Sequence, residues 1–69
     1  MPLEMIGIGE KRKNRKVSGK GKTKRFLESL GFVPGAEVSV VSELGGNMIV
    51  NVKDSRIAID SELARCILV

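Results

Sequence analysis

The sequence contains no His, Trp or Tyr, only two Phe and a single cysteine, Cys66, among its 69 residues. A lone thiol forms no internal disulfide, so nothing indicates an oxidising compartment. With so few aromatic side chains, the core must be aliphatic. The chain also lacks any long apolar run and the charged-then-apolar start of a secretory signal. We therefore expect a cytoplasmic protein with no membrane-inserted segment.

The absence of histidine also restricts the available chemistry. Most transition-metal sites and many nucleophile–base pairs use a histidine side chain. No grouping of Ser, Lys, Asp or Glu replaces it here, so we predict a protein that is not an enzyme and has no catalytic residues. Asp60, Glu62 and Cys66 lie close in sequence, but Cys66 opens an apolar segment and is interpreted as a small buried hydrophobe. We predict no firmly bound cofactor and no firm metal site, and weak carboxylate coordination of a hard cation stays open.

Acidic residues are missing from the most basic part of the chain. Nine of the twelve Lys and Arg residues lie between Lys11 and Arg25, and the rest of the chain has three basic against eight acidic residues. Such a stretch is either a solvated face or a docking surface for an acidic protein, nucleic acid or an anionic membrane. Nucleic-acid barrels usually stack bases on aromatic side chains, whereas Phe26 and Phe32 are both interpreted here as structural.

Local patterns predict a small, mainly β domain over residues 1–69, with one short α-helix. Thr23 is expected to cap this helix, and Gly31 is expected to end it in the left-handed conformation. From residue 36 apolar residues alternate with period two, which is typical of half-buried strands. The inward positions of these strands are Val38, Val40, Met48, Val50, Val52, Ile57 and Ile59.

Turn signals separate these strands and suggest how the chain closes on itself. Pro34-Gly35 predicts a type II turn, whereas 45–47 and 54–55 predict the two connections between strands. Asp60 or Ser61 is expected to cap one further helical turn, before a final strand at 66–69. About five short strands around one helix predict a closed or nearly closed small barrel.

Residues 19–35, Gly-Lys-Gly-Lys-Thr-Lys-Arg-Phe-Leu-Glu-Ser-Leu-Gly-Phe-Val-Pro-Gly, resemble the FeoA family of ferrous iron transport proteins. The resemblance continues through an alternating strand, a glycine hairpin and a C-terminal pattern that ends in Ala64, Ile67 and Val69. The first strand departs from the family, because 11–16 has no apolar residue and is expected to be irregular. The positions that carry the resemblance are Gly19, Leu27, Leu30, Gly31, Pro34, Gly35, Gly45, Ala64, Ile67 and Val69.

The resemblance implies an SH3-like β-barrel that also resembles the C-terminal domain of iron-dependent repressors. It further implies an accessory or regulatory protein of ferrous iron uptake, which binds the cytosolic region of FeoB, a permease with a GTP-binding domain. Ferrous iron would then be the transported ion. The protein would be cytoplasmic, or peripheral at the inner face of the membrane through its partner. A nucleic-acid-binding barrel and an iron-sensing or metal-binding module stay open. The expected partner interface comprises Lys20, Lys22, Lys24 and Arg25.

Overall fold

The computed structural model describes residues 1–69 and contains six strands and two α-helices, after a short 3-10 turn at Leu3–Met5. Four antiparallel strands form one sheet in the order β1-β3-β4-β5, and β2 pairs with β6 in a second, two-stranded sheet. The elements are β1 Lys11–Lys13, β2 Lys16–Val17, α1 Gly21–Ser29, β3 Glu37–Leu44, β4 Asn47–Val52, β5 Ser55–Asp60, α2 Ser61–Arg65 and β6 Ile67–Leu68.

The basic first strand is broken, as its lack of apolar residues led us to expect. β1 pairs with β3, whereas β2 pairs with β6, so the chain passes from one sheet to the other at Asn14 and Arg15. The backbone amide of Asn14 donates to the Ala36 carbonyl at 2.7 Å, and the backbone carbonyl of Asn14 accepts from the Gly35 amide at 2.7 Å. These two bonds hold the bend against the turn before β3.

Two tight hairpins join β3, β4 and β5. Leu44 pairs with Asn47, so the first hairpin has only Gly45 and Gly46 in its loop, both with positive φ. This is the pattern of a type I′ turn, whose twist suits antiparallel strands. The second loop is 53–54, also with positive φ at both residues, although neither is glycine. The predicted turns at 45–47 and 54–55 therefore extend too far, because Asn47 and Ser55 already belong to strands.

Helix α1 begins earlier than the sequence suggested. Its N-cap is Lys20, which makes no side-chain capping bond, and Thr23 lies inside the helix, so the predicted Thr23 cap is wrong. Its end matches the expectation: Gly31 has a φ of 110° and donates to Glu28, and Phe32 donates to Leu27. These two bonds define a Schellman motif.

The core is aliphatic apart from Phe32 and one methionine. Alternate residues of β3 and β4 point inward and are buried, as the period-two pattern predicted. On β5, Ile59 is buried and Ile57 is half-buried. Cys66 is also only half-buried, so its interpretation as a buried hydrophobe is corrected to a residue at the edge of the core. The buried apolar side chains are Leu3, Ile6, Val17, Leu27, Phe32, Val38, Val40, Met48, Val50, Val52, Ile59, Ala64, Ile67 and Val69.

The predicted type II turn and the predicted cap of the second helix are both present. The type II turn has Gly35 at a φ of 87° and is closed by a 3.0 Å bond from the Ala36 amide to the Val33 carbonyl. Asp60 caps α2, because its carboxylate accepts from the Leu63 amide at 2.8 Å. Helix α2 therefore starts directly at the end of β5, which fixes its position beside that edge of the sheet.

Candidate protein-docking surface

The N-cap and the first two turns of α1 carry four exposed cations, Lys20, Lys22, Lys24 and Arg25, which we call the basic helix surface. No acidic residue lies in the first turn of the helix. The two ion pairs of the structure, Arg12 with Glu10 and Arg65 with Glu4, involve none of these four side chains. The surface is therefore an unneutralised cluster of positive charge.

Helix geometry strengthens this positive charge. The N-terminus of an α-helix is the positive end of its dipole. Cations at this end are repelled by the dipole, whereas an anion is attracted by the dipole and by the cations. The Arg25 side chain extends towards this end of the helix: its Nη1 atom lies 3.2 Å from the position that a Cβ on Gly21 would occupy. An acidic side chain of a partner would be attracted by the cations and could accept hydrogen bonds from the free amides of the first turn.

Phe26 adds an apolar contact beside these cations, and the sequence analysis missed it. Phe32 is fully buried, as expected, but 51% of Phe26 is exposed, so its structural interpretation is corrected. Lys22, Phe26 and Leu30 stand four residues apart and form one row along α1. Phe26 therefore borders the basic helix surface on the same helix.

Phe26 and Leu30 form one wall of an apolar groove of about 360 Å³ between α1 and β5. The rest of its lining comprises Ile57, Ala58, Ile59 and Leu63, together with the polar residues Asn47 and Asp60. The sequence did not separate Phe26 from Leu27, because two consecutive apolar residues both fit a core pattern. A helix turns by about 100° per residue, so only one of the two can point directly inward. Leu27 takes that position, and Leu30 is only half-buried.

The largest cleft lies on the outer face of the four-stranded sheet and has a volume of about 730 Å³. Its lining is polar except for Ala36, and it mixes cations with carboxylates. Lys11, Ser39, Asn51 and Arg56 form a row across all four strands. This row contains no pair of groups arranged for proton transfer or nucleophilic attack.

The residues considered for a metal do not converge. The Asp60 carboxylate caps α2, and the Cys66 thiol lies 3.6 Å from the Glu62 carbonyl oxygen, to which it donates. No group of three or more His, Cys, Asp or Glu side chains comes together anywhere in residues 1–69. The helices are also short, and none has the length and apolarity needed to cross a bilayer.

The fold and the basic helix surface define a small SH3-like domain with an exposed, cationic helix. The profile of the FeoA domain matches residues 1–69, and the chain belongs to the FeoA family. A search of curated protein sequences finds no match.

Solved structures give the same answer. A crystal structure of an iron uptake regulatory protein, FeoA, is 32% identical, with a TM-score of 0.87 over 97% of this chain and 91% of that one. Stenotrophomonas maltophilia FeoA, complexed with zinc, is 26% identical, with a TM-score of 0.88 over 99% and 87% of the two chains. It is described as a prokaryotic SH3 domain protein and a candidate ferrous iron transport activating factor.

A manganese-dependent transcriptional repressor shares the fold. It is 18% identical, with a TM-score of 0.87, and the match covers 97% of this chain but 39% of the repressor. The expected likeness to the C-terminal domain of iron-dependent repressors is confirmed at the level of the fold by this related metal-dependent repressor.

Proposed function

We propose that the protein is an accessory or regulatory subunit of ferrous iron uptake that binds the cytosolic region of a FeoB-type permease through the basic helix surface. It acts by binding and catalyses no reaction. It works in the cytoplasm, or at the inner face of the membrane when bound to the permease. The observation that supports this proposal most strongly is the cluster of four exposed, unpaired cations on one helix of a FeoA-family domain.

The mechanism follows from rigidity and charge. The Schellman motif and the buried Leu27 fix α1 on the barrel, so Lys22, Lys24 and Arg25 are presented in a defined arrangement. Unlike charges on two proteins steer their encounter and set their relative orientation. Phe26 supplies the apolar anchor that rim charges lack, because aromatic and Arg side chains contribute most of the binding energy in many interfaces.

Ferrous iron is the cargo of the permease in this proposal and is bound by the permease. The nucleic-acid alternative has a specific weakness in this structure. Neither phenylalanine lies on a strand, so the outer face of the sheet offers no aromatic platform for bases. Attraction of nucleic acid to the basic segment would then depend on phosphates alone and fall steeply with salt.

Reversal of three charges on α1 tests the proposed interface. We expect the combined Lys22→Glu, Lys24→Glu and Arg25→Glu variant to bind the cytosolic region of the permease at least about tenfold more weakly. The reason is that three attractive contacts become repulsive while no ion pair inside the domain is lost. Titration calorimetry at physiological salt measures the effect, and far-UV circular dichroism checks the fold.

A second variant with the same change in net charge is the matched control. Lys11, Arg15 and Lys16 are exposed and unpaired, lie outside α1, and can each be replaced by Glu. We expect this control to keep most of the affinity, because it leaves the basic helix surface intact. Equal losses in both variants would show that only net charge matters, and the localised interface would be rejected.

A further inference from the structure

The free edge of β5 is the second surface of interest. β5 lies at the end of the four-stranded sheet and pairs only with β4, in an unbroken register from Ser55 to Asp60. An unpaired strand edge is a template for another strand, and proteins usually protect such edges with bulges, prolines, charged side chains or a covering helix or loop. β5 contains no bulge and no proline, and its two charged residues, Arg56 and Asp60, carry opposite charges.

The register shows which backbone groups of β5 are free. Ser55 pairs with Val52 across a two-residue loop, so these two residues exchange both of their hydrogen bonds. Ile57 and Ile59 follow at steps of two and also point their amides and carbonyls at β4. Arg56, Ala58 and Asp60 therefore point theirs to the open side. None of the backbone bonds made outside the sheets and helices involves Arg56 or Ala58.

The side chains of this edge are complementary to themselves. We propose that two copies of the chain pair through antiparallel β5 strands, with Ala58 facing Ala58 of the second copy on a two-fold axis. In this register Arg56 lies opposite Asp60 of the second copy, and both residues are of the type whose backbone groups face outward. The same pairing occurs twice, as a two-fold interface requires.

Charge and shape support this single register. Neither Arg56 nor Asp60 has an ion-pair partner within the chain. Oδ1 of Asp60 accepts the Leu63 amide, so Oδ2 is the carboxylate oxygen left for Arg56 of the second copy. Opposite charges directly across an antiparallel pair are favourable. On the inner face Ile57 lies opposite Ile59 of the second copy, which adds an apolar pair. The groove between α1 and β5 runs along this edge, with Phe26 and Leu30 on its far side.

The other edge strand of the sheet, β1, carries charges that disfavour pairing with a second copy. β1 is three residues long, and all three are exposed cations, Lys11, Arg12 and Lys13. Antiparallel pairing of two β1 strands would place Lys11 opposite Lys13, and like charges directly opposite are destabilising. Self-pairing is thus disfavoured at β1 and favoured at β5, which selects one interface and a closed dimer.

Hydrogen exchange and sedimentation of the purified protein alone test the dimer. Between about 10 µM and about 1 mM we expect a reversible monomer–dimer equilibrium. The Ala58 amide, which has no acceptor in the monomer, should become protected as the dimer forms, whereas Ile57 should be protected throughout. A monomer at every concentration, with Ala58 unprotected, overturns the proposal. So does protection of Ala58 that appears only when another protein is added.

Two variants locate the interface. Ala58→Pro removes an amide that is unpaired in the monomer, and edge strands tolerate proline, so the variant should fold and stay monomeric. Arg56→Glu places two like-charged pairs in the dimer and should weaken it by about tenfold or more. Lys11→Glu makes the same charge change at β1 and should leave the dimer unchanged. Unaltered dimerisation of Ala58→Pro would contradict β5 pairing. None of these measurements involves the permease, so the outcome is independent of the proposed function.

Discussion

Replacement of Leu27 by Ala is expected to lower the free energy of unfolding by about 2–5 kcal/mol, the usual range for removing a buried leucine. Leu27 is the only fully buried side chain of α1 and packs in the same core as Phe32 and Ile67. A domain of 69 residues buries a modest part of its surface, and typical domains have only about 5–15 kcal/mol of stability in total. The variant is therefore expected to be partly or wholly unfolded already without urea. Urea titrations followed by circular dichroism measure the loss against the unmodified protein.

The neighbouring residue provides the control. Phe26 is the larger side chain, but half of it is exposed, so Phe26→Ala should cost much less than Leu27→Ala, about 1 kcal/mol. Leu30→Ala should fall between the two, because Leu30 is half-buried against the core. If Phe26→Ala were the more destabilising variant, the orientation of α1 described here would be wrong.

Gly31→Ala is expected to cost about 1–3 kcal/mol, the range for a residue held in a strained backbone conformation. Gly31 has a φ of 110°, where a side chain is strained whatever space surrounds it. An added Cβ would also lie 3.2 Å from Cγ of Lys53. The Lys53 side chain is flexible and exposed, so most of the cost should come from the backbone. Chemical denaturation of the purified variant measures it.

Gly7→Ala is the matched substitution. Gly7 does not have a positive φ, and its nearest neighbour would be Glu10 Oε1 at 3.6 Å, an ordinary contact. This variant should change stability by less than about 0.5 kcal/mol, or stabilise slightly by restricting the unfolded chain. Equal losses for Gly31→Ala and Gly7→Ala would argue that the Schellman turn is not needed to hold α1 in place.

Features that depend on neighbouring residues could be predicted from the sequence. The alternation at Val38 and Val40 reports a strand half-buried on one face, and Gly31 followed by Phe32 reports a helix end. Asp60 caps α2 because its carboxylate reaches an amide three residues away. Each of these features depends on only a few consecutive residues, so it can be predicted from the sequence alone.

Other features depend on distant parts of the chain and were predicted only in part. The lack of apolar residues at 11–16 predicted an irregular first strand, but not that β1 and β2 pair with different sheets. The second hairpin places Lys53 and Asp54 at positive φ without glycine, so the turn predicted at 54–55 was placed one residue too late. α1 begins at Gly21, and its N-cap is Lys20, which makes no side-chain capping bond; the sequence therefore favoured Thr23 as the cap.

The basic helix surface lies between these two cases. Composition alone predicted the charge, because nine cations stand together without an acid. Only the structure shows that Lys22 and Phe26 share one helix row and that a groove opens beside them. The polarity of the surface was thus predictable, whereas its apolar anchor required the packing of α1 against β5.

Titration calorimetry of this protein against the cytosolic region of its FeoB-type permease, at physiological salt, tests the central claim most directly. The account predicts saturable binding that survives this salt concentration, and a parallel titration with duplex DNA should show none, because contacts to phosphates alone are weak there. Parallel titrations with a GTP analogue and with ferrous iron show which signal the complex reads. The absence of binding to the permease under all of these conditions, or salt-resistant binding to DNA, would contradict the account.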